Sequence, residues 1–216
     1  MIIGIFDTKK NITGKFTRIW GKWICLIAGF NVITEGLENL CRNQQYIFVS
    51  NHESILDIPV ALSQLPFNII FLTKKELFSI PLFGLAMRSA GMIRVDRKNR
   101  KKARTSVQSA LKALNQKNIN VLAYPEGTRS KPGDLLPFKK GSFILAIQSG
   151  LPIVPITTFN TGKNLRKSAL ILNNKVDIKL RIHPPIVTSE LDSERDKNQL
   201  WETTYHTIYE DLKLTV

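Results

Sequence analysis

Short apolar runs alternate with segments of helical periodicity along most of this 216-residue chain. The runs cover residues 46–49, 69–72, 120–124 and 153–157 and are rich in β-branched and aromatic residues, as buried strands are. Helical patterns cover residues 57–65, 80–89, 100–116 and 139–149. This alternation predicts a single-domain layered α/β fold with a largely parallel central sheet flanked by helices. A strand at residues 32–36, a strand at 176–182 and a closing helix at 194–214 complete the expected elements.

The N-terminal segment is basic and amphipathic. Apolar residues recur at helical spacing from Ile12 to Phe30, and Lys15, Arg18 and Lys22 fall between them. The longest apolar run, residues 23–30, is too short to cross a bilayer, which needs about 20 residues. No small-residue cleavage site is evident, which favours a retained helix over a removable signal peptide. Two interpretations stay open: a helix lying flat in a membrane interface, or a helix packed on the core.

The charge balance is strongly basic. The chain has 31 Lys and Arg residues against 17 Asp and Glu residues, a net charge of +14. Such an excess favours an anionic partner, which can be lipid headgroups, nucleic acid or an acidic carrier protein. Its two cysteines, Cys25 and Cys41, form no metal-binding pattern and are too few for a disulfide framework.

His52 and Asp57 lie where the strand at 46–49 is followed by the helix at 57–65. Five residues apart on one straight helix, the two side chains would point about 140° away from each other. If His52 lies in the turn before the helix, the Asp57 carboxylate can reach one ring nitrogen. The other nitrogen is then free to take a proton from a substrate hydroxyl. The alternative is that Asp57 serves simply as a residue that starts the helix, followed by Pro59 in the first turn.

Two further loops carry charged residues suited to chemistry. In residues 125–130, Pro125 and Gly127 predict a tight turn with exposed N–H groups, and Arg129 offers donors for phosphate oxygens. Glu126 can accept hydrogen bonds from substrate hydroxyls or position Arg129. In residues 91–102, Gly91 is suited to end a helix, and a basic run begins at Arg97. That run is either compensated by an anion or a membrane or is a solvated charged face, and Arg97 at its edge is the expected functional member.

Taken together, four blocks resemble the glycerolipid acyltransferases, most closely the bacterial 1-acyl-glycerol-3-phosphate (lysophosphatidate) acyltransferases. The first is His, four residues and Asp, at positions 52–57. The second is Gly-x-Ile-x-x-x-Arg at 91–97, and the third is Pro-Glu-Gly-Thr-Arg-Ser at 125–130. A fourth, apolar block at 151–156 contains Pro155. The blocks occur in order and cover about residues 46–160.

The resemblance implies a role for each block. His52 is the general base that deprotonates the acceptor hydroxyl for attack on an acyl thioester, and Asp57 supports it. The remaining site residues divide into a glycerol-phosphate group, comprising Arg97, Glu126, Gly127, Thr128 and Arg129 with Lys75 and Lys139 as weaker candidates, and an acyl-donor group, comprising Gly91, Ile93 and Pro155. The family implies no metal and no cofactor beyond acyl-coenzyme A or acyl carrier protein as co-substrate.

The expected activity is transfer of an acyl chain to the sn-2 hydroxyl of 1-acyl-glycerol-3-phosphate, which gives phosphatidic acid. We expect an N-terminal membrane-interface segment at residues 1–31 and an acyltransferase domain at 32–216. The expected location is the cytoplasmic face of the cell membrane, with membrane lipid and the acyl donor as partners and no nucleic acid. Two alternatives remain: another acceptor, such as glycerol 3-phosphate or a lyso-aminolipid, or a non-catalytic basic protein that binds membranes or nucleic acid.

Overall fold

A computed structural model describes residues 7, 11–96, 100–115, 119–165, 172, 176–192 and 195–214 of the chain. Seven helices are defined here in chain order: α1 (Asn11–Ile27), α2 (Asp57–Gln64), α3 (Phe83–Ser89), α4 (Arg100–Leu114), α5 (Gly141–Ser149), α6 (Thr161–Asn164) and α7 (Lys197–Leu214). The strands are β1 (Val32–Glu35), β2 (Ile47–Ser50), β3 (Ile69–Lys74), β4 (Ile93–Val95), β5 (Asn120–Ala123), β6 (Ile153–Phe159) and β7 (Ile178–Ile182). Short 3₁₀ helices occupy Leu37–Asn39 and Lys75–Ser79.

The seven strands form one sheet in the order β1-β7-β6-β2-β5-β3-β4. Every neighbouring pair is parallel except β6 and β7, which are antiparallel. The predicted layered fold with a largely parallel sheet is therefore confirmed. The prediction missed β4, the 3₁₀ helices and α6. Strand β4 has only three residues and lies between two loops, which is too short a segment for its periodicity to be recognised.

Alternate residues of the central strands point to opposite faces of the sheet, and each face carries its own apolar core. On one face, Ile47 and Val49 of β2 pack with residues of α4, α5 and α7. On the other face, Phe48 of β2 packs with Val60 and Leu62 of α2. Helices therefore cover both faces, as parallel sheets require.

Helix α1 packs on α2 through its smallest side chains. Gly14, Gly21 and Cys25 are buried on this face. A Cβ atom on Gly21 would lie 2.7 Å from the carbonyl oxygen of Pro59, so only glycine permits this close approach. The opposite face of α1 leaves its large apolar side chains exposed: Ile12, Phe16, Ile19, Trp20, Trp23, Leu26 and Ile27. Within the described part of the chain, no helix has the length and hydropathy that crossing a bilayer requires.

Candidate active site

The parallel strands bring the first and third sequence blocks to one edge of the sheet. The carboxyl ends of β2, β5, β3, β4 and β6 all meet there, because these strands run in the same direction. Residues 51–56 follow β2, and residues 124–130 follow β5, its direct neighbour. Ligands of open α/β sheets bind at this carboxyl edge, where neighbouring loops diverge.

His52 and Asp57 meet as the spacing predicted. His52 lies in the turn before α2, and its Nδ1 is 2.6 Å from Oδ2 of Asp57, the first residue of that helix. The same oxygen accepts the backbone N–H groups of Glu53 at 2.9 Å and Ser54 at 3.0 Å. The His52 side chain is 15% exposed and that of Asp57 is 1% exposed, so the imidazole reaches the surface while its partner stays buried. The Asp57 carboxylate holds the imidazole ring in place through Nδ1 and leaves Nε2, the other ring nitrogen, facing away from Asp57.

The other oxygen of Asp57 is bound from the start of α6, directly after β6. The hydroxyl of Thr161, which is fully buried, donates to Asp57 Oδ1. Asn160, which precedes Thr161, has a φ of 67°, a left-handed conformation that Asn accepts more readily than most residues. Asn51 exchanges two 2.8 Å hydrogen bonds with the backbone of Thr158 and thereby ties the start of the His52 turn to β6. The sequence did not predict the roles of Thr161 and Asn51, since both depend on contacts with residues more than 100 positions away.

The turn after β5 holds the backbone of His52 from the other side. The N–H of His52 donates to Glu126 Oε1 at 2.6 Å, and the carbonyl oxygen of His52 accepts the N–H of Ser130 at 2.8 Å. The second carboxylate oxygen of Glu126 accepts the N–H of Leu136 at 3.0 Å. Glu126 is only 4% exposed, so its carboxylate faces the protein backbone, where it positions His52.

Tyr124 supports the imidazole ring itself. The rings of Tyr124 and His52 are stacked, with centroids 4.4 Å apart and planes inclined by 23°. Phe71 of β3 continues the stack on Tyr124 at 6.3 Å. Burial raises the pKa of the Tyr124 phenol well above its ordinary value, and the Asp57 carboxylate adds to this rise. The phenol is therefore neutral at physiological pH.

Two further carboxyl groups lie buried beside the His52–Asp57 pair. Burial raises the pKa of Glu126 to about 7, against the opposing effect of the N–H groups of Leu136 and His52. Burial also raises the pKa of Glu53 to about 7, although the N–H of Gly133 donates to it at 2.9 Å. Asp57 raises both values further, because like charges disfavour ionisation. Glu53 lies inside the first block, but no pattern in the sequence distinguished it from its neighbours.

Gly127, Thr128 and Arg129 lie on the outer side of the 125–130 turn. Gly127 has a φ of 72°, and a Cβ there would lie 2.8 Å from Lys139 Nζ, so the lysine side chain lies across the turn. Thr128 is exposed and Arg129 is half-buried. The backbone N–H of Lys139 donates to the carbonyl oxygen of Pro125 at 2.9 Å. Of the predicted phosphate-binding cations, Arg129 thus belongs to the turn that holds His52, and Lys139 packs across that turn.

The second block lies further along the sheet. Lys75 Nζ is 2.7 Å from Asp96 Oδ2, and Ile93 is buried on β4. Gly91 has a φ of 77° and follows α3, as predicted for a residue that ends a helix. Strands β5 and β3 separate β4 from β2, a distance of about 14 Å at the usual strand spacing. Arg97 lies outside the described residues.

A surface cavity of about 490 Å³ lies at the same β3–β4 edge of the sheet; its lining residues are Lys75, Arg94, Asp96, Thr105, Ser106 and Ser109.

Pro155, the predicted acyl-donor residue of the fourth block, lies on the other side of β2. It is buried in β6, in register with Val49. Its carbonyl oxygen accepts the N–H of His183 at 3.0 Å. Pro155 therefore contributes to the packing of the central strands through its buried ring and to the backbone hydrogen bonding through its carbonyl group. Among the described residues, no group of three or more His, Cys, Asp or Glu side chains is arranged to hold a metal ion.

Comparison with proteins of known sequence identifies relatives over most of the chain. A 1-acyl-sn-glycerol-3-phosphate acyltransferase of Cocos nucifera is 34% identical over 196 residues, which cover 91% of this chain and 62% of that protein. The 1-acyl-sn-glycerol-3-phosphate acyltransferase alpha of Mus musculus is 33% identical over 165 residues, covering 76% of this chain and 58% of that protein. The chain thus spans less than two thirds of the length of these two relatives.

A solved structure has the same fold. The crystal structure of the 1-acyl-sn-glycerophosphate acyltransferase PlsC from Thermotoga maritima matches with a TM-score of 0.79 and 26% identity. The match covers 94% of this chain and 79% of the other. The family model described as Acyltransferase matches residues 31–158, which include every block at the carboxyl edge of the sheet. The chain belongs to the acyltransferase family.

Proposed function

We propose that this protein transfers an acyl chain from a thioester to the sn-2 hydroxyl of 1-acyl-glycerol-3-phosphate and so makes phosphatidic acid. The observation that carries the proposal is the His52–Asp57 bond of 2.6 Å, held beside the turn that bears Arg129. Relatives that carry the name 1-acyl-sn-glycerol-3-phosphate acyltransferase support the choice of acceptor.

In the proposed mechanism, His52 acts as the general base. Asp57 accepts a hydrogen bond from the Nδ1–H of His52, and Nε2 takes the proton of the acceptor hydroxyl as its oxygen attacks the thioester carbonyl carbon. The tetrahedral intermediate collapses with cleavage of the carbon–sulfur bond. The imidazolium then returns its proton to the departing thiolate, so that an ester and a free thiol are formed. Asp57 stabilises the transient positive charge on the ring, and Thr161 holds the carboxylate in place.

We place the acceptor's phosphate beside Arg129. The phosphorus and the sn-2 oxygen of the acceptor are separated by only a few bonds, so the phosphate has to bind close to His52. Arg129 and Lys139 extend from the turn whose backbone contacts His52 directly. The guanidinium fork of Arg suits two phosphate oxygens at once. Lys75, at the β3–β4 edge, and Arg97 remain further candidates for the glycerol-phosphate site, with Thr128 as a hydroxyl donor.

We further propose that α1 attaches the enzyme to the membrane surface. Its small residues pack on α2, and its aromatic and aliphatic residues face outward, with Lys15 and Lys22 exposed beside them. A helix of this kind lies in the interface between headgroups and acyl chains. In this view residues 1–31 are the membrane-contacting segment and residues 32–216 the acyltransferase domain, at the cytoplasmic face of the cell membrane. Retention of full vesicle binding after deletion of residues 1–31 would contradict this assignment.

The function is tested by measuring thiol release from purified protein. Lysophosphatidate, glycerol 3-phosphate and a lyso-aminolipid are offered in turn, each with acyl-coenzyme A and with acyl carrier protein as donor. We expect release with lysophosphatidate at a rate well above that with the other two acceptors. A preference for glycerol 3-phosphate or for the lyso-aminolipid would reassign the acceptor. If no thiol is released with any combination of acceptor and donor, the proposal that the protein is an acyl-transferring enzyme is refuted.

A further inference from the structure

The loop that joins β3 to α3 exposes an apolar surface separate from α1. It consists of residues 75–82, and together with the first residue of α3 it exposes four large apolar side chains: Leu77, Ile80, Leu82 and Phe83. We call these four residues the apolar loop. Leu82 is 83% exposed. Neither the His52 site nor the packing of α1 uses these side chains.

The backbone of the apolar loop is held in an unfavourable conformation. Leu82 has a φ of 59° and a ψ of −50°, and the N–H of Phe83 donates to the carbonyl oxygen of Pro81 at 2.6 Å. This is a γ-turn with positive φ at its centre, a rare and strained geometry for a residue other than glycine. A leucine gains nothing from that position through packing, because its side chain lies in solvent.

The loop is rigid on its inner side. Phe78 is buried beneath it, and the carbonyl oxygen of Phe78 accepts a 3.0 Å hydrogen bond from the guanidinium of Arg88. A Cβ on Gly84 would lie 2.2 Å from the same carbonyl oxygen, so α3 packs directly against Phe78. The N–H of Gly84 donates to the carbonyl oxygen of Ile80 at 2.8 Å. The structure thus fixes the apolar loop with its side chains pointing outward.

Cationic side chains flank the apolar loop. Lys74, Arg88 and Arg94 are exposed on the elements that precede and follow it, and Glu76, also exposed, lies in the loop 4.0 Å from Lys74. Basic residues also dominate the sequence after β4, at 97–102. An apolar tip with basic surroundings matches an anionic lipid surface, where leucine and phenylalanine enter the acyl region and the cations contact headgroups. A second copy of the chain matches poorly, because a two-fold contact would bring the same basic surface against itself.

We propose that the apolar loop is a second lipid-contacting surface, which docks the carboxyl edge of the sheet onto an anionic membrane independently of α1. The inference rests on the proposed function, because an enzyme whose acceptor is a membrane lipid has to bind at the membrane surface. Since the loop follows β3 at the same edge as His52, its insertion would bring the site to the lipid surface.

The test is the Leu82→Gly variant, with Leu214→Gly as the matched control. Leu214 is also 83% exposed but lies at the end of α7, which packs on the sheet face opposite α1. Binding is measured with phosphatidylcholine vesicles with and without phosphatidylglycerol, in the absence of substrates. We expect Leu82→Gly to lower the affinity for the anionic vesicles about tenfold, the effect of withdrawing one leucine from an apolar phase. Leu214→Gly should leave it unchanged.

Thermal unfolding separates lipid contact from a structural role. Glycine accepts a positive φ without strain, so Leu82→Gly should keep or raise the unfolding temperature while vesicle affinity falls. Unchanged affinity, or a loss that accompanies a lowered unfolding temperature, would overturn the proposal. Conversion of a dimer to a monomer at unchanged vesicle affinity would assign the loop to a subunit contact and overturn it as well. A Leu82-dependent affinity in a protein that transfers no acyl chain would refute the proposed function and leave the lipid surface standing.

Discussion

Replacement of Glu126 by Gln distinguishes a positioning role from a substrate-binding role. The family resemblance places Glu126 in the glycerol-phosphate site, whereas its two carboxylate oxygens accept N–H groups of His52 and Leu136. Gln has the same shape but only one oxygen. Its amide nitrogen would face one of the two N–H donors and leave that donor unpaired in a buried site.

The cost can be estimated from these contacts. A buried N–H group without an acceptor costs about 1–3 kcal/mol, so the free energy of unfolding should fall by that amount. A reacting group displaced by about 1 Å loses on the order of 100-fold in rate. Because Glu126 holds the backbone of His52, we expect kcat to fall by about 10- to 100-fold while the KM for lysophosphatidate changes little.

The pH dependence of stability gives a second measurement of the same residue. Burial raises the pKa of Glu126 to about 7 in the folded protein, above its ordinary value of 4.5. The unfolded chain therefore releases this proton first, and the free energy of unfolding falls as the pH rises from about 4.5 to about 7. The fall attributable to Glu126 is on the order of 3 kcal/mol. Glu126→Gln has no such proton, so its destabilisation should be largest near pH 5 and shrink above pH 7.

The assay combines steady-state kinetics with denaturant unfolding at several pH values. The exposed Glu202 of α7 provides the control, since Glu202→Gln should change neither kcat nor stability. A rise in the KM for lysophosphatidate at unchanged kcat would show that Glu126 contacts the acceptor. That result would refute the positioning argument.

Three further substitutions test other parts of the structure. Arg129→Ala should raise the KM for lysophosphatidate about tenfold or more with little change in kcat, and an unchanged KM would remove Arg129 from the phosphate site. Thr161→Val should lower the free energy of unfolding by about 1.5–3 kcal/mol by removing a donor to the buried Asp57 carboxylate, whereas Thr161→Ser should retain most of it. Gly21→Ala should lower that free energy by about 1–3 kcal/mol because its Cβ would meet the backbone of α2; Gly141→Ala, which meets no atom within 4 Å, should not.

The sequence predicted the layered fold and the meeting of His52 with Asp57 because both depend on local patterns. The periodicity of strands and helices is a property of neighbouring residues. A turn between a strand and a helix is also local, and it allows two side chains five residues apart to meet. The contacts that hold this pair are different in kind. Thr161 reaches Asp57 from 104 positions away, and Glu126 reaches His52 from 74 positions away.

Those long-range contacts depend on strand order, which periodicity does not specify. The sheet places β5 and β6 on either side of β2, and so brings Glu126 and Thr161 to opposite sides of the His52 turn. The same limit applies to α1. Its amphipathic pattern left membrane contact and core packing as alternatives, and Gly14 and Gly21 show why: the helix packs through glycines that a hydrophobic pattern does not register.

The most direct test of the account is the rate of thiol release by His52→Ala with lysophosphatidate and an acyl thioester, measured beside thermal unfolding. Removal of the base should lower kcat by about 10²- to 10⁴-fold. The unfolding temperature should stay close to that of the unsubstituted protein, since the His52 side chain bonds only one oxygen of a carboxylate that three other donors hold. A His52→Ala variant that is folded and turns over lysophosphatidate at the normal rate would contradict the central claim.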